Sequence, residues 1–251
     1  MNKYSEVLNY WNQDNVESMY DKFLLKQEIE MIKKHIPASS KILDAGCGEG
    51  EGTYEYSQVP GSLIHASDFA DTRLKKVSER VKNQRNVLLK KVNFLKKYEL
   101  DFDYDVIISQ RFLINIMEWE FQKKVINDFV RRLKVNGKLI LLEGSKNGVN
   151  ELNNFRKIFE LPEISVKWHN LFFNDKQLEN YLNEIGIKLV YKVGFSEYFI
   201  LTRGIRPFFD KELNWNSKFN KISANDELKK LLKLGHRFSR LKLWVGIKNN
   251  G

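Results

Sequence analysis

The sequence predicts an α/β fold of three layers, in which a mostly parallel β-sheet lies between two layers of helices. Short, purely apolar runs alternate along the chain with stretches whose apolar residues recur at helical spacing. The runs show no polar alternation, which is typical of strands that are buried on both faces of a parallel sheet. With 251 residues the chain can form one substantial core, so we expect a single domain.

Helices and strands are predicted in alternation along the chain. Apolar residues at helical spacing predict helices over 25–36, 74–81, 125–133, 178–185 and 228–234. Pro37 ends the first of them, Asn136-Gly137 forms a left-handed cap after the third, and Asn174 caps the start of the fourth. Uninterrupted apolar runs predict strands over 42–43, 62–66, 86–89, 104–108, 138–142, 187–191 and 241–247.

Three stretches fall outside this alternation. Residues 1–22 carry Tyr10 and Trp11 among polar residues, which suits either a lid or an arm that packs its aromatic rings on the core. Residues 145–173 show no apolar stripe and are expected to form an insertion that acts as a lid over the carboxyl edge of the sheet, whereas 204–223 is expected to be irregular. We therefore divide the domain into an N-terminal lid arm (1–22), a cofactor-binding core (36–144), the substrate-side insertion (145–173) and the C-terminal part of the core (174–251).

The composition leads us to expect a cytoplasmic protein that is not embedded in a membrane. Hydrophobic residues make up 42% and charged residues 29%, and no apolar run approaches the ~20 residues of a membrane-spanning helix. The first residues lack the apolar core of a secretory signal, and Cys47 is the single cysteine, so no intrachain disulfide is expected. The net charge of +10 is compatible with binding of nucleic acid or of an anionic small substrate, or it only keeps the protein soluble.

The stretch from Lys41 to Gly50 predicts a ligand-binding turn. An apolar strand ends in Asp44, and glycines follow at positions 46, 48 and 50. Glycine allows a tight turn and a close approach of the backbone to a ligand, and ligands of open α/β sheets lie outside the carboxyl ends of the strands. The G-x-G-x-G spacing differs from the dinucleotide pattern, and Asp44 would repel a pyrophosphate but suits a ligand with an amino group.

Two further strand ends carry side chains that suit a nucleoside. Asp68 ends the second strand, where a carboxylate can accept hydrogen bonds from both hydroxyls of a ribose. Asn93 and Phe94 follow the third strand and supply an amide for the edge of an adenine and a ring for its face. The alternative is that Phe94 belongs to the core and that Asn93 only forms a turn.

Together these residues resemble the first motif of the class I S-adenosylmethionine-dependent methyltransferases. The resemblance covers about Ile36 to Ile200, and the final strand fits the extra antiparallel strand of that family. It implies a Rossmann-like sheet of seven strands in the order 3-2-1-4-5-7-6, with S-adenosylmethionine as cofactor and S-adenosylhomocysteine as product. Asn93 departs from the family, in which an acid is common at that position. The implied cofactor contacts are Asp44, Gly46, Cys47, Gly48, Asp68, Phe69, Asn93, Phe94 and Gln110.

The segment after the fourth strand bears on the methyl acceptor. It reads S-Q-R-F-L-I-N over residues 109–115, with Trp119 nearby, and it resembles a branch of small-molecule and sugar methyltransferases. It lacks the Asn-Pro-Pro-Tyr type of motif that many enzymes acting on nucleic acid bases or glutamine amides carry. The resemblance implies O-methylation of a small polar acceptor, as in the tailoring of bacterial surface polysaccharides. The expected acceptor contacts are Arg111, Asn115, Trp119, Asn154, Arg156, Asn170 and Arg203.

Three side chains carry the expected acceptor chemistry. Arg111 suits an anionic acceptor, because its planar guanidinium matches a carboxylate or phosphate, although a surface ion pair is the alternative. His169 lies in the insertion and, with an ordinary pKa near neutrality, could take the proton from an acceptor hydroxyl, unless its role is structural. Glu143, at the end of the fifth strand, is a second candidate base. No metal is expected, because the histidines are scattered and no acids have ligand spacing.

Two other functions stay open at this point. The net charge and the basic segment 229–242 suit an RNA methyltransferase, although the leucines of that segment more simply indicate an amphipathic helix that covers the core and has a solvated basic face. A non-catalytic adaptor that keeps the cofactor site is the third possibility. We favour a small, anionic acceptor, with neither nucleic acid nor membrane as a partner, and a monomer or homodimer.

Overall fold

A sheet of seven strands runs through the protein, with helices on both of its faces, as the sequence predicts. The computed structural model describes residues 3–101, 103–210 and 214–249. Residues 1–2 of the predicted arm, and residues 211–213 and 250–251 of the predicted C-terminal part, lie outside the described residues.

The strands of the sheet are β1 (Lys41–Ala45), β2 (Leu63–Asp68), β3 (Val87–Lys91), β4 (Tyr104–Gln110), β5 (Leu133–Gly144), β6 (Ile187–Gly194) and β7 (Leu241–Lys248). Their order is β3-β2-β1-β4-β5-β7-β6, which confirms the order that the resemblance implied. Neighbouring strands from β3 to β5 pair in parallel, whereas β7 is antiparallel to both β5 and β6. The carboxyl ends of β1 to β5 therefore meet at one edge of the sheet.

The helices connect the strands and cover the sheet. They are α1 (Lys3–Trp11), α2 (Lys22–Lys33), α3 (Glu51–Ser57), α4 (Asp71–Val81), α5 (Trp119–Arg132), α6 (Lys146–Ile158), α7 (Asp175–Glu184), α8 (Ser196–Phe199), α9 (Lys218–Ser223) and α10 (Asp226–Leu232). Short 3₁₀ turns cover Leu113–Asn115 and Arg206–Phe208, and a π-helical turn covers Ile200–Ile205. Within the described ranges, no helix combines the length and the apolar character that crossing a bilayer requires.

The apolar core lies on both faces of the sheet. Successive residues of a strand point to opposite faces, so Leu43 packs in one apolar cluster and Ile42 in the other. Helices α5 and α7 contribute to the first cluster, and α2 contributes to the second. β1 and β4 are buried along almost their whole length, because helices cover them on both sides.

The third predicted helix ends earlier than expected, so the predicted cap at Asn136-Gly137 is wrong. α5 ends at Arg132, and Leu133 already has extended backbone angles and pairs with Tyr104 of β4. Asn136 does adopt the left-handed conformation, with φ 64°, but it does so inside the range of β5. Pairing with β4 thus takes the backbone out of the helix before the turn at Asn136 is reached.

Two stretches that were expected to be irregular contain helices. α6 fills the first half of the predicted insertion and buries Val149 and Leu152, so an apolar stripe exists among its many asparagines. The stretch 204–223 holds the 3₁₀ turn and α9. The basic helix α10 buries none of its residues, and Leu231 is 76% exposed, so this helix does not form the expected amphipathic cover.

We expect Asn136→Ala to lower the free energy of unfolding by about 1 kcal/mol, because alanine bears the full steric cost of the left-handed conformation. Asn136→Gly is the matched control and should leave stability unchanged or slightly higher, since glycine adopts that conformation freely. Urea denaturation followed by circular dichroism measures both. Equal stability of the two variants would contradict a left-handed turn at this position.

Candidate functional site

A cavity of about 290 Å³ lies outside the carboxyl ends of β1, β2 and β4. The N-terminal arm (here residues 3–20), the turn after β1, residues 167–172 and the π-helical turn all contribute to its walls. In the described part of the chain, no group of His, Cys, Asp and Glu side chains is arranged to hold a metal ion. We call one part of the cavity the glycine-turn end, lined by Asp44, Gly46, Cys47, Gly48 and Asp68, and the other the arginine end, lined by Arg111, Arg203 and Arg240.

The turn after β1 uses backbone angles that favour glycine. Gly46, Gly48 and Gly50 have φ values of 71°, 57° and 79°. A Cβ atom on Gly46 would lie 2.5 Å from Cβ of Phe112, so a larger residue would collide with the segment after β4. The backbone N–H of Gly46 donates to the carbonyl oxygen of Ser67 at 2.8 Å, which fastens the turn to β2. The expected tight turn is therefore present, with its backbone facing the cavity.

Two side chains of this turn are ionisable, the buried Asp44 and the half-buried Cys47. Asp44 accepts a hydrogen bond of 2.6 Å from the hydroxyl of Thr53, and burial raises its pKa to about 6 although that hydrogen bond opposes the rise. Burial also raises the pKa of the Cys47 thiol. At neutral pH the glycine-turn end thus offers a carboxylate acceptor at Asp44 and a neutral thiol at Cys47.

Asp68 ends β2 with its carboxylate held in place. Its Oδ2 accepts a hydrogen bond from the backbone N–H of Gly48 at 3.1 Å, and its Oδ1 accepts one from Ala70 at 2.9 Å. Burial raises the pKa of Asp68, and these backbone donors oppose the rise. A carboxylate has about four acceptor positions, so Asp68 can accept further hydrogen bonds from a ligand in the cavity, which Phe69 also lines.

Asn93 and Phe94 have structural contacts and also line the cavity. Oδ1 of Asn93 accepts hydrogen bonds from the hydroxyl of Tyr4 at 2.6 Å and from the backbone N–H of Leu95 at 3.1 Å. Its Nδ2 hydrogen-bonds no other described residue, so the amide keeps a donor for the cavity. Phe94 is buried and packs against Phe112, yet it also lines the cavity.

Gln110 and Arg111 belong to a buried polar network. Gln110 donates to Glu28 at 2.8 Å and accepts from the hydroxyl of Tyr56 at 3.0 Å. Nε of Arg111 lies 3.1 Å from the same carboxylate oxygen of Glu28. Burial raises the pKa of Glu28, and the positive charge of Arg111 opposes the rise. Arg111 thus forms an ion pair, but its partner Glu28 is buried and not at the surface. Arg111 also lines the cavity.

The position of Glu143 contradicts the expected role as a base. Its carboxylate is fully buried and does not line the cavity. It accepts hydrogen bonds from the hydroxyl of Ser109 at 2.6 Å and from the backbone N–H groups of Phe112, Leu113 and Ile114 at 3.2, 3.0 and 3.2 Å. Burial raises the pKa of Glu143 to about 8, although these four donors oppose the rise. The carboxylate fixes the segment after β4 and has no access to an acceptor.

His169 lines the cavity as a neutral imidazole. It is 3% exposed, and its ring stacks on Tyr10 with the ring centroids 4.4 Å apart. Among the described residues, none hydrogen-bonds its buried Nδ1. Burial lowers the pKa of His169 to about 4, so the ring is neutral at pH 7 and can accept a proton.

Four of the seven expected acceptor contacts line the cavity: Arg111, Asn115, Asn170 and Arg203. The amide of Asn170 donates to Oδ1 of Asn115 at 3.1 Å, which joins the insertion to the segment after β4. Arg203 donates to Asp21 at 2.8 Å.

The other three lie away from the cavity, which corrects the expectation for them. Trp119 packs edge-on against Phe173, with the ring centroids 5.9 Å apart, in the apolar core. Asn154 is exposed on α6. Arg156 is buried and donates to the carbonyl oxygens of Pro162, at 2.8 Å, and Arg203. α6 contributes no residue to the walls of the cavity, because its polar residues face solvent or contact neighbouring segments.

Arg73 was not singled out from the sequence, yet it holds the N-terminal arm against the glycine-turn end. It is 1% exposed, and it donates to the carbonyl oxygens of Trp11 at 3.2 Å and Val16 at 2.6 Å. Its third contact is an ion pair of 2.5 Å with Glu49. An arginine on an amphipathic helix is usually solvated, so no sequence pattern marks this role.

Asp21 and Arg240 were also not singled out. Asp21 accepts a hydrogen bond of 3.1 Å from the backbone N–H of Leu24 and so caps α2. An aspartate directly before an apolar pattern of helical spacing predicts an N-cap, so the capping role of Asp21 is predictable from the sequence. Arg240 lies just before β7, in the basic segment 229–242, whose pattern suits RNA binding or an amphipathic cover and marks no single arginine.

The chain resembles known methyltransferases in sequence and in structure. Residues 42–137 match the model of a protein family described as a methyltransferase domain. No curated protein sequence matches the chain. Magnesium protoporphyrin IX methyltransferase (ChlM) from Synechocystis PCC 6803, solved with bound S-adenosylmethionine, has a TM-score of 0.61 at 12% identity, and the match covers 99% of this chain and 98% of that chain.

Two further solved structures show the same likeness. The N-methyltransferase NodS from Bradyrhizobium japonicum WM9 has a TM-score of 0.57 at 12% identity, covering 92% of this chain and 98% of that chain. The [4+2]-cyclase SpnF has a TM-score of 0.59 at 14% identity, covering 96% and 86%. The domain match and the fold confirm the predicted class I methyltransferase fold. Because SpnF is described as a cyclase, the fold alone does not assign the reaction.

We expect Glu143→Ala to lower the free energy of unfolding by roughly 3 kcal/mol or more, because it leaves three buried backbone donors and one hydroxyl without an acceptor. Glu143→Gln keeps one acceptor oxygen in place and should destabilise less. Chemical denaturation of both variants measures the difference. Wild-type stability in Glu143→Ala would show that the carboxylate does not fix the segment after β4.

Proposed function

We propose that this chain, which carries a methyltransferase domain on the class I fold, is an S-adenosylmethionine-dependent enzyme that methylates an oxygen of a small, polar, anionic acceptor. The observation that carries the proposal is the cavity with two chemically different ends. The glycine-turn end offers acceptors for hydroxyl and amino groups, and the arginine end is rich in guanidinium groups.

The glycine-turn end fits S-adenosylmethionine. Asp68 keeps acceptor positions for the ribose hydroxyls, and Nδ2 of Asn93 can donate to a ring nitrogen of the adenine. The carboxylate of Asp44 suits the amino group of the methionine part, and the backbone from Gly46 to Gly50 allows a close approach. Bound there, S-adenosylmethionine would supply an electrophilic methyl group on its sulfonium.

The arginine end suits an anionic acceptor. Arg111, Arg203 and Arg240 line it, whereas the carboxylates that pair with them among the described residues belong to Asp21 and Glu28. One positive charge is therefore left for a ligand. The ring of Trp215, which lines the same region, gives the acceptor an apolar surface to lie on.

His169 is the proposed base. A hydroxyl acceptor must lose its proton as its oxygen attacks, and a neutral imidazole nitrogen at the cavity wall can receive it. An imidazole with a pKa of about 4 is a weak base. The proton therefore moves to His169 during the attack and not before it, and positioning of the acceptor oxygen by the arginine end contributes the larger share. A phosphate oxygen is already ionised and would need no base.

The shape of the cavity favours a small acceptor over RNA. Tyr10 and Trp11 of the N-terminal arm cover His169, and residues 167–172 lie on the same side, so a polymer has little access. An adaptor that only binds the cofactor is disfavoured because His169, whose Nδ1 hydrogen-bonds none of the described residues, lines the same cavity as Asp44 and Asp68. The resemblance of segment 109–115 to sugar methyltransferases supports an acceptor from bacterial polysaccharide biosynthesis in the cytoplasm.

S-adenosylhomocysteine should bind to the wild-type protein, and Asp68→Ala should weaken this binding by roughly 2 to 4 kcal/mol, because it removes a buried acceptor for two hydroxyls. Asp71→Ala is the matched control, since Asp71 is an exposed acid paired with Lys91 at 2.6 Å, and it should leave the affinity unchanged. Calorimetry measures the affinity of all three proteins for S-adenosylhomocysteine. Equal affinities of Asp68→Ala and wild type would rule out this placement of the ribose.

His169→Ala should lower turnover of a hydroxyl acceptor roughly 100-fold or more while the affinity for S-adenosylhomocysteine is kept. Because burial lowers the pKa of His169 to about 4, the ring is neutral above pH 6, and wild-type turnover at saturating S-adenosylmethionine should fall only as the pH approaches 4. Formation of S-adenosylhomocysteine with sugar phosphates, nucleotide sugars and uronic acids measures turnover.

His35→Ala is the control, because His35 contacts Tyr191 and does not line the cavity. A phosphate acceptor would give a different result for His169→Ala, namely a higher Michaelis constant with little change in turnover. Unchanged turnover and an unchanged Michaelis constant would exclude His169 from the reaction.

A further inference from the structure

Arg240 is a half-buried cation of the arginine end whose guanidinium is left without a partner. It lies immediately before β7 and lines the cavity. Within the described ranges of the chain, its side chain makes no hydrogen bond or ion pair, and its Cζ lies 5.5 Å from the ring centroid of Phe172. Arg237, in the same segment, is 68% exposed and pairs with Glu151 at 2.6 Å. The lack of a partner is thus specific to the arginine that faces the cavity.

The neighbouring charges do not neutralise Arg240. Nε of Arg111 lies 3.1 Å from Glu28, and Nη2 of Arg203 lies 2.8 Å from Asp21, so both carboxylates already have a cation. Burial and repulsion by Arg203 and Arg111 lower the pKa of Arg240 to about 10, which leaves it protonated at neutral pH. Three guanidinium groups therefore share two carboxylates.

Free donors converge at this end of the cavity. A half-buried cation without a partner is only partly solvated, and an anion that pairs with it makes up for the lost solvation. Nη1 of Arg203 is fully buried and hydrogen-bonds none of the described residues. The planar forks of two guanidinium groups match the oxygens of a phosphate or a carboxylate, to which they can donate in pairs.

The position of Arg240 in the sheet separates it from the cofactor. Leu241, the first residue of β7, pairs with Gly144 at the end of β5. In the strand order, β4 stands between β5 and β1, so Arg240 lies across β4 from the glycine turn. The carboxylates Asp44 and Asp68 are on the other side. An anion bound by Arg240 therefore belongs to the acceptor.

We propose that Arg240, together with Nη1 of Arg203, binds the oxyanion of the methyl acceptor, which is a phosphate monoester or a carboxylate. The inference rests on the proposed function, because it takes the arginine end to be the acceptor site. Phe172 lies beside Arg240, and the ring of Trp215 lies 4.2 Å from Cζ of Arg203. The group that carries the oxyanion is therefore flat or apolar on the side that faces these rings.

Calorimetric titration of the protein saturated with S-adenosylhomocysteine tests this assignment, with phenyl phosphate and benzoate as probes. Wild type should bind phenyl phosphate if the acceptor carries a phosphate, and benzoate if it carries a carboxylate. Arg240→Gln should weaken binding of the preferred probe at least about tenfold, because the charge and the fork are both lost. Arg240→Lys keeps the charge without the fork and should bind with intermediate affinity. Arg237→Gln is the matched control and should bind as wild type does.

The inference is overturned if wild type binds neither probe, or if Arg240→Gln binds the preferred probe as tightly as wild type does. It is also overturned if Arg237→Gln loses as much probe affinity as Arg240→Gln. A loss of S-adenosylhomocysteine affinity in Arg240→Gln would instead assign the residue to the cofactor. Melting temperatures establish that each variant is folded. If Arg240→Gln does not fold, the probe affinity of Arg240→Lys tests the inference in its place.

The same titrations without S-adenosylhomocysteine separate this inference from the proposed function. If wild type does not bind S-adenosylhomocysteine, the proposed function fails. If the probes still bind and their binding depends on Arg240, the oxyanion site is present but serves a different function. If S-adenosylhomocysteine binds and neither probe does, the proposed cofactor stands and the oxyanion site falls.

Discussion

The cavity depends on one buried carboxylate, that of Glu143. Its hydrogen bonds with Ser109 and with three consecutive backbone N–H groups hold the chain in a fixed turn after β4. Within that turn Arg111 has a φ of 55°, a left-handed conformation that costs a non-glycine residue roughly 1 kcal/mol or more. The turn sets Phe112 against Gly46, where no side chain could fit, so the loops after β1 and β4 match each other in shape. One carboxylate at the end of β5 thereby determines the form of both ends of the cavity.

The fold and the glycine-turn end could be predicted from the sequence, because both depend on local patterns. Apolar runs identify strands, and glycines followed by Asp68 on the next strand identify the place where a nucleoside fits. Roles that depend on distant partners could not be predicted. Glu143 has the position of a base, at the end of a strand, and only the folded chain shows that its hydrogen-bonding capacity is already used. The guanidinium of Arg156 could bind an anion, but its position in the sequence does not show which way its side chain points from α6.

The two ends of the cavity share a wall. Tyr56 donates to Gln110, Gln110 donates to Glu28, and Glu28 pairs with Arg111, so a continuous polar chain runs from α3 to the arginine end. In a buried environment such chains are stabilising only when every member is satisfied. Oε1 of Glu28 and Nε of Arg111 hydrogen-bond none of the described residues, so the contact between these two side chains is an ion pair and not a hydrogen bond. Arg111 is therefore held by Glu28 and is less free than Arg240 to follow a ligand.

The N-terminal arm has a consequence for how quickly molecules leave the cavity. α1 buries a single residue, Val7, so apart from the ring contacts of Tyr10 and Trp11 with His169 few apolar contacts hold this helix in place. Its attachment relies on polar contacts, those of Arg73 with Trp11 and Val16 and that of Tyr4 with Asn93, which itself borders the proposed adenine position. Segments with few apolar contacts open at a small cost in free energy, and in many enzymes such opening sets the pace of the cycle. Arg73 on α4, which lies outside the arginine end, would then influence how long a bound molecule stays in the cavity.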